Sequence, residues 1–159
     1  GKFDYVEMNF SDIPNAVKTG NVDAGLVIHE TQLSFEHEGV KKILDVGEWW
    51  NKQTNGLPVP LGINVMNNKF DAETIKRFDL YLQKSIKYAL EHKDDALEYA
   101  MQYSRGKSHE LIEKFVLMYV NEVTVDMGES GEKAIRLLFK MAKEENLIHD
   151  FELRISEKL

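Results

Sequence analysis

Cysteine is absent from this 159-residue chain. Disulfides, thiolate nucleophiles and cysteine-ligated zinc or iron–sulfur centres are therefore excluded. Positive charge is in short supply: 20 Lys plus Arg stand against 27 Asp plus Glu, a formal net charge of −7. That balance argues against nucleic acid, whose binders neutralise phosphates with a surplus of Lys and Arg. It argues equally against anionic membrane surfaces. No apolar run approaches the ~20 residues that cross a bilayer as a helix. The phosphate-cradling patterns G-x-G-x-x-G and G-x-x-x-x-G-K-[ST] do not occur, and neither does a G-x-S-x-G nucleophile elbow. What remains is 43% hydrophobic and 30% charged. This is a globular composition, unlike that of disordered, collagenous or coiled-coil chains. The length suits one domain, or barely two small ones.

Gly1-Lys2 leads directly into the strand-like Phe3-Asp4-Tyr5-Val6-Glu7-Met8, with no initiating Met and no charged-then-apolar leader. The expectation is an N-terminally truncated fragment. After a first strand at Tyr5, Val6 and Met8, Ser11 or Asp12 caps a short helix with Pro14 in its first turn and Gly20 as its stop. Ala24-Gly25-Leu26-Val27-Ile28 is a continuous apolar run and predicts a strand buried on both faces. Glu30 to Glu38 has helical spacing and ends at Gly39. Lys42 to Val46 predicts a third strand, Glu48 to Asn55 a short helix, and Leu61 to Met66 a fourth strand. Strands alternating with helices predict a parallel α/β sheet.

From Asp71 the pattern turns helical. Asp71 opens a long helix through Ile75, Phe78, Leu82, Ile86 and Ala89; Asp94-Asp95 opens another that stops near Gly106. Ser108 caps a third through Leu111, Ile112, Phe115 and Tyr119, and a last helix spans roughly Glu132 to Glu145. Amphipathic helices with no strands among them either pack only on each other or, as the favoured reading, cover a sheet completed by sequence outside this chain or an obligate partner. A large exposed apolar surface follows, with room for dimerisation or helix swapping.

His29 is the leading candidate for chemistry. It follows a predicted buried strand, and ligands of open α/β sheets bind at the carboxyl ends of strands. Imidazole is also the side chain best poised for proton transfer near neutral pH. The competing reading is a surface or capping histidine. His29-Glu30 does not start a zincin motif, because Leu33 stands where the second histidine ligand belongs; metal is not expected. His37 reaches His29 only if the segment folds back. Trp49-Trp50 offers stacking surfaces, against the alternative of one core and one half-exposed ring. Gly62, after the stiff Leu57-Pro58-Val59-Pro60-Leu61, allows close backbone approach.

Four blocks carry a resemblance: Val22-Asp23-Ala24-Gly25-Leu26-Val27-Ile28-His29-Glu30, Leu44-Asp45-Val46-Gly47-Glu48-Trp49-Trp50, Gly56-Leu57-Pro58-Val59-Pro60-Leu61-Gly62 and Tyr119-Val120-Asn121-Glu122-Val123-Thr124-Val125-Asp126-Met127-Gly128. In this order and spacing they resemble the 1,4-dihydroxy-6-naphthoate synthase family of the futalosine route to menaquinone. The sister enzyme chorismate dehydratase lacks the Ile-His-Glu ending and the Gly-Glu-Trp-Trp block.

The resemblance implies an α/β fold of the type II periplasmic-binding-protein kind. Residues 1–66 would form the α/β second lobe with hinge strands, and residues 67–159 the helices that complete a first lobe whose N-terminal part is missing. It implies a carbon–carbon lyase that converts cyclic dehypoxanthine futalosine to 1,4-dihydroxy-6-naphthoate. It implies that His29 is the proton-abstracting base, that Ile28 and Leu61 line the cleft, and that Gly62 lies near the bound ring. It implies no cofactor and no metal, a small-molecule substrate, no nucleic acid or membrane partner, a homo-oligomer as one option, and a cytoplasmic setting. The shared fold keeps a second reading open, a non-catalytic solute-binding protein of the same class.

Overall fold

The computed structural model of the chain describes residues 3–104 and 106–155, so Gly1 and Lys2 of the expected chain start lie outside the described residues. Helix boundaries follow local signals closely. The first helix, α1, is Ile13–Lys18, with Asp12 at its N-cap, Pro14 in its first turn and Gly20 left-handed (φ 74°) just beyond its end. The segment expected as one helix from Glu30 forms two 3-10 turns instead, His29–Leu33 and Phe35–Glu38. The second closes on Gly39 at φ 81°. Helix α2 is Val46–Gln53, capped by Asp45, whose carboxylate accepts from the backbone N–H of Gly47 and Glu48.

Helix α3 is Ala72–Glu91, and Asp71 accepts from the Thr74 N–H, as its position before the apolar stripe predicts. Helix α4, Lys93–Met101, carries Asp94 and Asp95 in its first turn, where the helix dipole favours negative charge. Helix α5, His109–Tyr119, is capped by the Ser108 hydroxyl. Helix α6, Glu122–Val125, went unforeseen: Asn121 and Thr124 form a reciprocal capping box around a single turn. Helix α7, Gly128–Glu144, begins four residues before its predicted start at Glu132. Its exposed face carries ion pairs one turn apart, Lys133–Glu129 and Arg136–Glu132 among them.

The α/β expectation is overturned. Among the described residues all regular structure is helical, and no strand or sheet forms. The expected strands at Tyr5–Met8, Ala24–Ile28 and Leu61–Met66 are irregular connections; Lys42–Val46 is irregular up to Asp45, and Val46 already belongs to α2. The physical reason lies in what an apolar run encodes. It specifies side chains that favour burial, whereas a strand also needs a neighbour to exchange N–H and C=O bonds with. Here the runs find no such neighbour, and their side chains stay largely in solvent: Leu26 is 67% exposed, Ile43 85% and Val65 80%.

The core is small. Its buried apolar residues are Ala16, Trp50, Leu97, Ile112, Val125, Ala134 and Ile135, so helices contribute every one of them. Helix α3 packs on α4 and α6, and α4 on α5. Helix α5 also covers the first 3-10 turn, and α1 the second. Among the described residues no helix is long and apolar enough to cross a membrane.

Candidate functional site

The chain enters the first 3-10 turn from an extended Ile28 (φ −130°, ψ −179°) and bends at His29, whose φ is +57°. A left-handed backbone costs a residue with a Cβ roughly 1–2 kcal/mol, so surrounding contacts must hold it there. Those contacts are aromatic. The imidazole lies 4.3 Å, centroid to centroid, from the Phe10 ring and 6.4 Å from the Phe115 ring, tilted 41° to each. Phe115 and Tyr119 sit one turn apart on α5, with rings 4.9 Å apart. The Gln32 side-chain amide donates to the Tyr119 hydroxyl at 3.1 Å and ties the turn to α5.

Tyr119 is itself anchored. Its carbonyl accepts from the Thr124 hydroxyl at 2.6 Å, and that hydroxyl accepts from the Asn121 N–H at 3.2 Å. Ser34, which ends the first turn, has a buried hydroxyl with no hydrogen-bond partner among the described residues. His29 is exposed despite its two aromatic neighbours. The imidazole therefore keeps access to a ligand while its ring is held from two sides.

The fold brings the four sequence blocks together in pairs. His29 of the first block meets Phe115, one turn before the last block, and Tyr119 of the last block meets Gln32, just after the first. The Trp50 block meets the proline-rich block through the Trp50 indole N–H, which donates to the Pro58 carbonyl at 3.0 Å. Trp50 is buried and Trp49 is 41% exposed, the core-plus-surface arrangement rather than a pair of stacking faces.

Of the expected cleft residues, Ile28 adjoins His29 and is 43% exposed. Leu61 and Gly62 lie in the separate connection between α2 and α3; Leu61 is 60% exposed, and a Cβ at Gly62 would meet nothing within 4 Å. No protein group crowds Gly62. Phe10, Gln32 and Phe115 were not singled out by sequence reasoning, and only Phe115 carried a signal, as a core position of a predicted helix.

A shallow cavity of about 260 Å³ opens elsewhere, lined by Lys42, Ile43, Leu44, Asp45, Glu48, Trp49 and Lys52. Lys42 lies 3.5 Å from the Asp45 carboxylate and 3.9 Å from that of Glu48, so its charge is largely answered within the wall. Among the described residues no group of three His, Asp or Glu side chains is placed to hold a metal ion.

An exposed imidazole braced by aromatic rings on a helical support has proton transfer and stacking as the classes of chemistry open to it. The comparisons narrow those classes. The chain belongs to the menaquinone biosynthesis family, whose family model matches residues 1–144. It is 36% identical over 142 residues to 1,4-dihydroxy-6-naphtoate synthase of Thermus thermophilus, covering 89% of this chain and 52% of that protein. It is 35% identical over 148 residues to the protein of the same name from Streptomyces coelicolor, covering 93% and 52%. The chain thus spans about half the length of these curated relatives. It also superposes on the crystal structure of protein AF1704 from Archaeoglobus fulgidus with a TM-score of 0.83 at 43% identity, over 90% of this chain and 54% of that one.

Proposed function

We propose that this chain contributes the proton-abstracting base of a 1,4-dihydroxy-6-naphthoate synthase, acting on cyclic dehypoxanthine futalosine in menaquinone biosynthesis. Two relatives carrying the synthase name support the reaction class, and they favour catalysis over simple solute capture. The observation that carries the residue assignment is His29 itself, left-handed in backbone, exposed, and braced by Phe10 and Phe115.

The neutral imidazole takes a proton from a carbon of the substrate. The released electron pair drives loss of the ribose-derived fragment as a carbon–carbon lyase would, and the forming aromatic ring favours that direction. Ile28, beside His29 in the chain, supplies an apolar contact for the ring system, with Leu61 and Gly62 as further cleft residues. The scheme calls for no cofactor, and a cytoplasmic setting belongs to the same reading.

The test is His29→Gln in the whole protein, assayed for naphthoate formation. A fall of at least about 100-fold in kcat is expected for loss of a general base. Turnover within a few-fold of wild type would remove His29 from the role.

A further inference from the structure

We propose that Gln32 and Tyr119 are positioning residues that set where the His29 imidazole stands. The inference rests on the reading of His29 as the base. It comes from two residue pairs that meet across two different kinds of helix. In a 3-10 turn, side chains at i and i+3 eclipse one another, about 6 Å apart along the axis at ~2.0 Å rise per residue. In an α-helix, residues at i and i+4 share a face, again about 6 Å apart at ~1.5 Å rise.

Phe115 and Tyr119 are such a pair on α5, whereas His29 and Gln32 stand three residues apart on the 3-10 turn with His29 left-handed at φ +57°. The two pairs meet one to one. The His29 ring faces Phe115 at 6.4 Å, and the Gln32 amide donates to the Tyr119 hydroxyl at 3.1 Å. A tilted ring contact tolerates sliding, whereas a hydrogen bond fixes distance and direction. The Gln32–Tyr119 bond therefore sets the register, and the imidazole follows as the next rung.

Two further observations fit. Tyr119 is a fixed post, because Thr124 Oγ1 donates to its carbonyl at 2.6 Å and belongs to the α6 capping box. At the far end of the turn, the buried Ser34 hydroxyl has no hydrogen-bond partner among the described residues.

The test combines Tyr119→Phe, Gln32→Leu and Gln32→Glu in the whole protein with a direct readout of the ring by nitrogen-15 NMR of the His29 imidazole. Tyr119→Phe and Gln32→Leu keep shape but break the bond. They are expected to lower kcat roughly 10- to 100-fold with KM within about two-fold, to shift the pH profile, and to move or broaden the His29 ring signals. Gln32→Glu restores a bond, because the phenol then donates to the carboxylate, and should recover activity only while Tyr119 keeps its hydroxyl. A merely structural role would lower stability without that rescue. Folded Tyr119→Phe and Gln32→Leu proteins with wild-type kcat, pH profile and His29 signals would overturn the latch, while an inactive His29→Gln would leave the base assignment standing. Conversely, an active His29→Gln would overturn the base reading, and shifted ring signals in Tyr119→Phe would still establish that the latch sets the imidazole.

Discussion

The indole N–H of Trp50 donates to the Pro58 carbonyl oxygen at 3.0 Å, across a turn in which Thr54 Oγ1 accepts from the Leu57 N–H and donates to the Trp50 carbonyl. Trp50 is only 4% exposed, and the bond it makes to the half-buried Pro58 is part-buried. Trp50→Phe keeps a ring but leaves Pro58 without its donor. The expected cost is about 0.5–1.5 kcal/mol, the net worth of an ordinary hydrogen bond. Trp50→Ala should cost about 3–5 kcal/mol. Urea denaturation of the three proteins checks both figures, and equal midpoints for wild type and Trp50→Phe would show that the bond adds nothing.

The cap of α2 makes stability depend on pH in a defined direction. Asp45 accepts from the Gly47 N–H at 3.0 Å and the Glu48 N–H at 3.1 Å, with Lys42 at 3.5 Å. The Glu48 N–H above all, with help from Lys42, holds this carboxyl below its ordinary value of 3.8. The folded state therefore favours the ionised form. Its contribution is complete above about pH 4–5 and is lost as pH falls through the lowered folded value. Asn caps a helix without titrating. Between pH 5 and pH 3 the denaturation midpoint of wild type should thus fall more steeply than that of Asp45→Asn. At pH 7, Asp45→Ala should cost about 0.5–2 kcal/mol. Parallel slopes for wild type and Asp45→Asn would contradict the assignment.

Gly25 is the point where the Ala24–Ile28 segment presses on α1. A Cβ there would stand 2.3 Å from Ile13 Cγ2 and 3.3 Å from Val17 Cγ2. Gly25→Ala should therefore destabilise by about 1–3 kcal/mol through overpacking. Ile13→Ala removes the obstructing methyl, so the double variant should lose less than the sum of the two single losses. That coupling, measured in a double-mutant cycle, distinguishes a steric clash from a general loss of segment order. Additive losses would place Gly25 away from Ile13.

What was legible in the sequence was local. Asp71 and Ser108 announced their helices because a capping side chain and the N–H it accepts from lie three residues apart. Gly20 and Gly39 announced their stops because only the backbone at that residue is involved. His29 was visible as a residue type after an apolar run. Its setting was not visible: Gln32 and Tyr119 are separated by 87 positions, and Phe10 reaches the imidazole across α1. The sheet failed for the same reason in reverse. Ala24–Ile28 and Leu61–Met66 carry the side chains of buried strands, but pairing is a non-local event that a run of apolar residues does not contain.

That failure makes a sharp prediction at Ile43 and Val65. As interior strand residues they would each lose apolar burial on replacement by Thr, and would bury a hydroxyl in need of a partner, at a cost of about 1–3 kcal/mol or more. In the structure Ile43 is 85% exposed and Val65 is 80% exposed. Exposed substitutions away from caps and packed contacts stay within about 0.5 kcal/mol. Ile43→Thr and Val65→Thr should therefore leave the denaturation midpoint of this chain where it is. Leu97→Ala, at a position 4% exposed in α4, should cost about 2–5 kcal/mol in the same buffer and fixes the scale of a true core loss. Only if the Thr variants fall toward the Leu97→Ala value do these segments have a covered face in solution. If they track wild type, the helices alone hold the chain.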